Sequence, residues 1–145
     1  MTADLPRIRR ALGRPAFRFV RVTPKGFAIE DEDPVDELTG RIRKTHLLRK
    51  LFSDGVLACD SKDGITARNG TACDDCRHPR CRANLRVHLQ EGPVVHVLDL
   101  APSAAKALLA LADALEQEQT DLGDVAVRLT VEDKGHWGLV RIESA

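Results

Sequence analysis

Asn84-Leu-Arg-Val-His-Leu-Gln-Glu-Gly-Pro-Val-Val-His-Val-Leu-Asp-Leu100 is the stretch that decides the fold. Leu85, Val87 and Leu89 alternate strictly with polar residues, the period of a half-buried strand. Glu91-Gly-Pro93 turns the chain, and Val94 to Leu100 returns as a second strand. Pro102-Ser103 ends that strand, and Ser103 is the expected N-cap of a helix over Ala104–Glu118. Ala104, Leu108, Leu111, Ala112 and Leu115 form one apolar stripe along it. Thr120 to Asp124 breaks the helix. Val125 to Val131 then alternates, Lys134-Gly135 turns, and Trp137 to Ile142 makes a last strand.

Upstream the pattern is less regular. Ala16-Phe-Arg-Phe-Val-Arg-Val22 carries Phe17 and Phe19 in one phase and Val20 and Val22 in the other. Thr23-Pro-Lys-Gly26 reads as a turn and Phe27 to Glu30 as a short strand, followed by an acidic loop over Asp31–Glu37. In the segment Arg41 to Phe52, Leu38, Ile42, Leu48 and Phe52 fit an imperfect helical stripe, and a strand through Arg41–Leu48 fits as well. A meander, one helix and a terminal hairpin match the β-β-β-α-β-β order of an OB-like antiparallel barrel, a mainly β fold of the α+β kind. On that reading residues 16–30 form one long, bent first strand, and the fold offers an oligonucleotide- or oligosaccharide-binding face on its second and third strands. An α+β sandwich with the helix on an antiparallel sheet gives much the same pattern.

At 145 residues the chain is expected to be a single domain, 1–145, large enough for a hydrophobic core. The longest apolar run, Ala107 to Ala112, is far short of the ~20 residues that span a bilayer. No secretory signal is visible, so a cytoplasmic, reducing setting without membrane attachment is expected. The net charge of zero conceals a division: residues 1–90 hold 18 Lys and Arg against 12 Asp and Glu, and residues 91–145 hold 4 against 10. A basic half can meet an anionic partner.

All four cysteines, Cys59, Cys73, Cys76 and Cys81, fall in one short segment. Cys73-Asp-Asp-Cys76 is a knuckle that brings two thiolates to one metal, with sulfurs about 2.3 Å from it. The set suits a closed, tetrahedral structural zinc site in an insertion over residues 56–82, where little regular structure is expected. An iron–sulfur cluster also accepts four thiolates, and His78 could replace one of them at zinc. Asp60-Ser-Lys-Asp-Gly64 has the wrong spacing for a calcium loop and reads as a turn shaping the metal segment.

Arg77, His78, Arg80 and Arg82 surround the cysteines, and Arg41, Arg43, Lys44, His46, Arg49 and Lys50 crowd the segment before them. Arg41, Arg43, Lys44, Arg49, Lys50, Arg77, Arg80 and Arg82 are the candidate phosphate contacts. Single-strand binders stack bases on aromatic rings, and this chain has only four phenylalanines, one tryptophan and no tyrosine. Phe19, Phe27 and Trp137 are able to stack but are read as core. Asn84 and His88 are expected to face solvent, and His46, His96 and His136 to stand alone. No P-loop, zincin, zinc-deaminase or nucleophile-elbow motif occurs, so no enzyme is expected and no catalytic residue is assigned.

Leu57-Ala-Cys59-Asp-Ser-Lys-Asp-Gly64, then Gly70-Thr-Ala-Cys73-Asp-Asp-Cys76 and Cys81, resembles the zinc-ribbon insert of small proteins from bacteriophages and mobile elements. Those proteins are similar to single-stranded-DNA-binding or replication-accessory modules. The resemblance covers roughly residues 55–115 and lacks a proline after Cys76. It implies that the four cysteines hold zinc and that the partner is a single-stranded nucleic acid, DNA ahead of RNA. The competing expectation is a protein-interaction adaptor, a small subunit whose basic half docks on a nucleoprotein complex.

Overall fold

A computed structural model describes residues 16–30, 32–53, 56–61, 68, 70 and 82–145, with backbone alone at residues 16, 50–53, 56–59 and 82. It is mainly β with one helix. The strands are β1 (Ala16–Thr23), β2 (Gly26–Ile29), β3 (Glu37–Ser53), β4 (Val56–Ser61), β5 (Arg82–Glu91), β6 (Val94–Leu100), β7 (Val127–Asp133) and β8 (Gly138–Ser144). The helix α1 (Pro102–Gln117) stands between β6 and β7 and is followed by a 3-10 turn at Leu122–Asp124.

One curled, half-barrel sheet carries the strand order β2-β1-β6-β5-β3-β7-β8, with β4 also on β3. Neighbours are antiparallel except β1 and β6, which run parallel from Ala16↔Val94 to Val20↔Leu98. The expected all-antiparallel barrel is corrected at that pair. Residues 16–30 are not one bent strand either. The chain reverses at Thr23–Gly26, where the Thr23 hydroxyl donates to the Gly26 carbonyl at 2.8 Å, and β2 pairs back on β1. Gly26 has φ +133°, and a Cβ there would strike the Val35 carbonyl, so no other residue closes this turn without strain.

The ambiguous Arg41–Phe52 segment is strand throughout, part of the 17-residue β3. Glu37–Gly40 pair with β7, Arg41–Lys50 with β5, and Arg49–Ser53 with β4. The register shifts between Ile42 and Lys44, so Arg43 is an extra residue in a bulge. That insertion destroys the alternation and leaves a false helical stripe. The metal segment is also more regular than expected at its start. Residues 56–61 form β4, so Asp60 and Ser61 end a strand rather than open a turn.

The core lies between α1 and one face of the sheet. Val20 of β1, Val87 and Leu89 of β5, Leu98 and Leu100 of β6, and Val140 of β8 meet Ala104 and Leu108, and all are buried. Leu115 is buried and Leu111 packs at the margin, so the helical stripe lies as its periodicity predicts. The helix start differs. Ala101 is the N-cap, extended at ψ 161° with no side-chain cap, and Pro102 occupies the first turn. Proline fixes a helical φ and needs no N–H partner there, and it forces the residue before it to be extended. Ser103 is therefore already helical.

Candidate nucleic-acid interface

Strand alternation gives the sheet a second face, opposite the helix. On β1 the valines take the core phase, so Phe17, Phe19 and Arg21 take the other. The register then builds rows across four strands. Phe17, Val95, Gln90 and Arg41 form one row, and Phe19, Val97, His88 and Lys44 the next. A third contains Asp99, Arg86 and His46. No described helix or strand packs across this face.

Phe17 is 58% exposed and Phe19 67%, which corrects the assignment of Phe19 to the core. Phe27 is fully buried as expected, and Trp137, at 52% exposed, is not. Full burial of such rings is worth ~1.5–3 kcal/mol, so aromatic side chains left in water call for a reason. Val95 and Val97, the cross-strand partners of the two phenylalanines on β6, are buried, so the rings border an apolar strip.

The polar groups around them are positioned. Arg86 Nε and Nη2 donate to the two oxygens of Asp99 at 2.8 and 3.2 Å, a bidentate pair that holds the guanidinium flat. Its Cζ lies 5.9 Å from the centre of the Phe19 ring, within cation–π range. Donation to the Asp99 carboxylate raises the Arg86 pKa further, so the cation is permanent. His88 meets Phe17 edge-on with ring centres 5.9 Å apart, and His46 lies 6.3 Å from His88. His46 is thus paired with a second imidazole, not isolated. Both Asn84 and His88 are half-buried. Burial lowers the His88 pKa, and repulsion from Lys44, His46 and Arg86 lowers it more, so this ring is neutral at neutral pH.

Arg41, Arg43 and Lys44 are exposed on this side of β3, and Arg43 Nε donates to Gln90 Oε1 at 2.6 Å. Across β1, β3 from Arg41 onward, β5 and β6, the described side chains of this face include Arg21, Arg41, Arg43, Lys44 and Arg86 and a single carboxylate, Asp99. The sequence picked out the β3 cations with His46, named Phe19 as able to stack while reading it as core, gave His88 no binding role, and missed Phe17 and Arg86. Only the alternation of β5, and the opposed phases of phenylalanine and valine on β1, hinted at them.

The remaining predicted residues separate. Arg49 pairs with Ala83, in the phase opposite to Lys44 and His46, and is half-buried. Lys50 and Arg82 are opposite each other in the β3–β5 register. Arg77 and Arg80 lie outside the described residues, as do Cys73, Cys76, Cys81 and His78. Cys59 is on β4 opposite Leu51. Residues 82 and 59 thus flank β3 from its two edges, so the cysteine segment starts and ends beside the same strand. Four cysteine thiols are a donor set that would suit a structural zinc, and among the described residues no group of three or more His, Cys, Asp or Glu could hold a metal ion.

No protein-family model, curated protein or solved structure matches this chain. Among the described residues no helix is long and apolar enough to cross a membrane.

Proposed function

We propose that this chain is a non-enzymatic module that binds single-stranded nucleic acid, DNA first, on the helix-free face of an OB-like curled sheet. One observation carries the reading. Two phenylalanines, exposed side by side on β1, are bordered by five cations and one carboxylate that is itself neutralised. Bases can stack on the rings and on the guanidinium of Arg86, while Arg41, Arg43 and Lys44 meet phosphates. Phe17 and Phe19 are two positions apart, about 6.7 Å along a strand. That is about twice the ~3.4 Å rise of stacked bases, so each ring has room for its own base. Such a platform is tolerant of sequence, since every base has a π face.

Zinc belongs to this proposal as a structural element. Cys59, Cys73, Cys76 and Cys81 would hold it, and it would supply folding energy to the 56–82 insertion with no open position for catalysis. The strands at the two ends of the insertion, β4 and β5, both pair with β3.

Equilibrium titration with labelled oligothymidylate at several salt concentrations tests the reading. Affinity should fall with salt, each neutralised phosphate adding ~0.7 to the slope of log K against log salt. Changing Arg41, Arg43 and Lys44 to glutamate should weaken binding and flatten the slope, while Lys106→Glu on α1 should do neither. Absence of binding to DNA and RNA in zinc-loaded protein would move the assignment to the adaptor.

A further inference from the structure

Three of the four aromatic side chains among the described residues are exposed, and they do not lie at random. Phe17 and Phe19 stand on β1, and Trp137 stands in the turn between β7 and β8. The topology joins these places. β1 and β6 pair only as far as Val20↔Leu98. Beyond that point β1 pairs with β2, while β6 runs on beside β5 to Leu100. The two strands part, and a cleft opens between them.

The cleft has two lobes. The first, about 270 Å³, lies under Phe19 and is bordered by Arg21, Val22, Arg86, Val97 and Asp99. The second, about 330 Å³, continues from Val22 and Asp99 to Pro24, Ala101, Leu139 and Trp137. Val22 and Asp99 line both lobes, so the two lobes adjoin at these residues. Each lobe is at or below the small end of the ~300–1,000 Å³ of small-molecule sites, the scale of one base with its sugar.

Trp137 is held in place. Its carbonyl accepts from the Lys134 N–H at 3.0 Å, closing the turn. The next residue, Gly138, presses on β1 so closely that a Cβ would come within 2.5 Å of the Thr23 carbonyl oxygen. The backbone of this turn is therefore held against β1, and Trp137 lines the end of the second lobe with about half its surface open. An exposed tryptophan on such a turn, at the end of a largely apolar lobe, has the form of a third stacking station.

We infer that a bound single strand leaves the sheet face at Phe19, follows the cleft between β1 and β6, and places a base on Trp137. This inference rests on the sheet-face reading and adds a path, an end point and a minimum ligand length to it. Short oligonucleotides fill the Phe17–Phe19 platform alone. Longer ones also reach Trp137.

The chain has a single tryptophan, so its intrinsic fluorescence reports this station directly. Oligothymidylates of about 3 and about 12 nucleotides, one below and one within the ~4–16 covered by one OB fold, are titrated into the zinc-loaded full chain. Binding is followed both by tryptophan emission and by anisotropy of an end label. The longer strand should quench the emission and the shorter should not. Trp137→Ala should weaken the longer strand about five- to 150-fold, the loss of one stacked base, and leave the shorter unchanged. Trp137→Phe should restore most of the loss, and circular dichroism of each variant checks the fold. If both strands bind by anisotropy but emission is constant and Trp137→Ala is silent, the path is wrong and the sheet-face platform stands. If neither strand binds, the platform itself fails and the path fails with it.

Discussion

Replacing Phe19 by alanine separates a binding role from a packing role, because affinity and folding stability are measured independently. Phe19 is 67% exposed, so the change forfeits only a minor part of the ~1.5–3 kcal/mol of a fully buried ring. The contact with Arg86 adds ~0.5–1 kcal/mol at an exposed site. Loss of folding stability should therefore be about 1–2 kcal/mol. Loss of a stacked base costs ~1–3 kcal/mol of binding, about five- to 150-fold in Kd. Phe19 makes no phosphate contact in this account, and Asp99 still pins Arg86 in the variant. The salt dependence should hence keep its slope while the whole line shifts to weaker binding. Chemical denaturation and anisotropy titration at three or more salt concentrations measure both quantities. As a contrast, Phe27→Ala, at a site with no exposure, should cost ~3–5 kcal/mol of stability. Unchanged affinity of the Phe19 variant for DNA, with its fold intact, would refute the stacking argument. A flattened salt slope would refute the division of labour between rings and cations.

Leu108, buried between α1 and the sheet, should cost ~2–5 kcal/mol on change to alanine, whereas exposed Leu109 should cost within ~0.5 kcal/mol, read from urea unfolding. His96 is buried with neither ring nitrogen hydrogen-bonded, since Glu91 is 3.9 Å away, and burial lowers its pKa against the pull of Glu91 and with the push of Arg18. The folded state thus disfavours the imidazolium, so stability is full above the ordinary value of 6.5 and is lost as pH falls through the lowered one. His96→Leu should leave neutral stability equal or higher and flatten the acid side of a denaturation-against-pH curve. An acid limb as steep as the parent's would show that His96 does not cause it. Purified protein should carry about one zinc per chain, and Cys76→Ser should release it, as measured by elemental analysis. Iron with visible absorbance would contradict the zinc assignment.

Much of the architecture is legible in the residues. Leu85, Val87 and Leu89 alternate without interruption, Glu91-Gly-Pro93 can only turn, and α1 has its stripe because helix and sheet bury one face each. The strand β3 is less legible for a physical reason. The bulge at Arg43 inserts one residue, changes the phase of the side chains, and puts apolar residues at helix-like intervals. The parallel pairing of β1 with β6 joins segments that are distant in the chain, and no local pattern encodes it. The site suffers from the same limit. Phe17 and Phe19 alternate with Val20 and Val22, and either set could have faced the core. The buried cluster decides, because Val20 joins it with Phe27, Ile29 and Leu98. Phenylalanine is ordinarily the better core residue, so the ordinary expectation pointed the wrong way. The cation run on β3 was visible because charge clusters in sequence. His46, His88, Arg86 and Asp99 come together only through cross-strand register.

The central claim is that DNA lies on the face of Phe17 and Phe19, and photo-crosslinking tests it most directly. Zinc-loaded protein is bound to a bromodeoxyuridine-substituted single strand, irradiated, digested and mapped by mass spectrometry. The account predicts adducts on the β1 peptide that contains Phe17 and Phe19 and on the β5 peptide that contains His88. Adducts confined to α1 or to the exposed side of β7 and β8, with β1 and β5 unmodified, would contradict it.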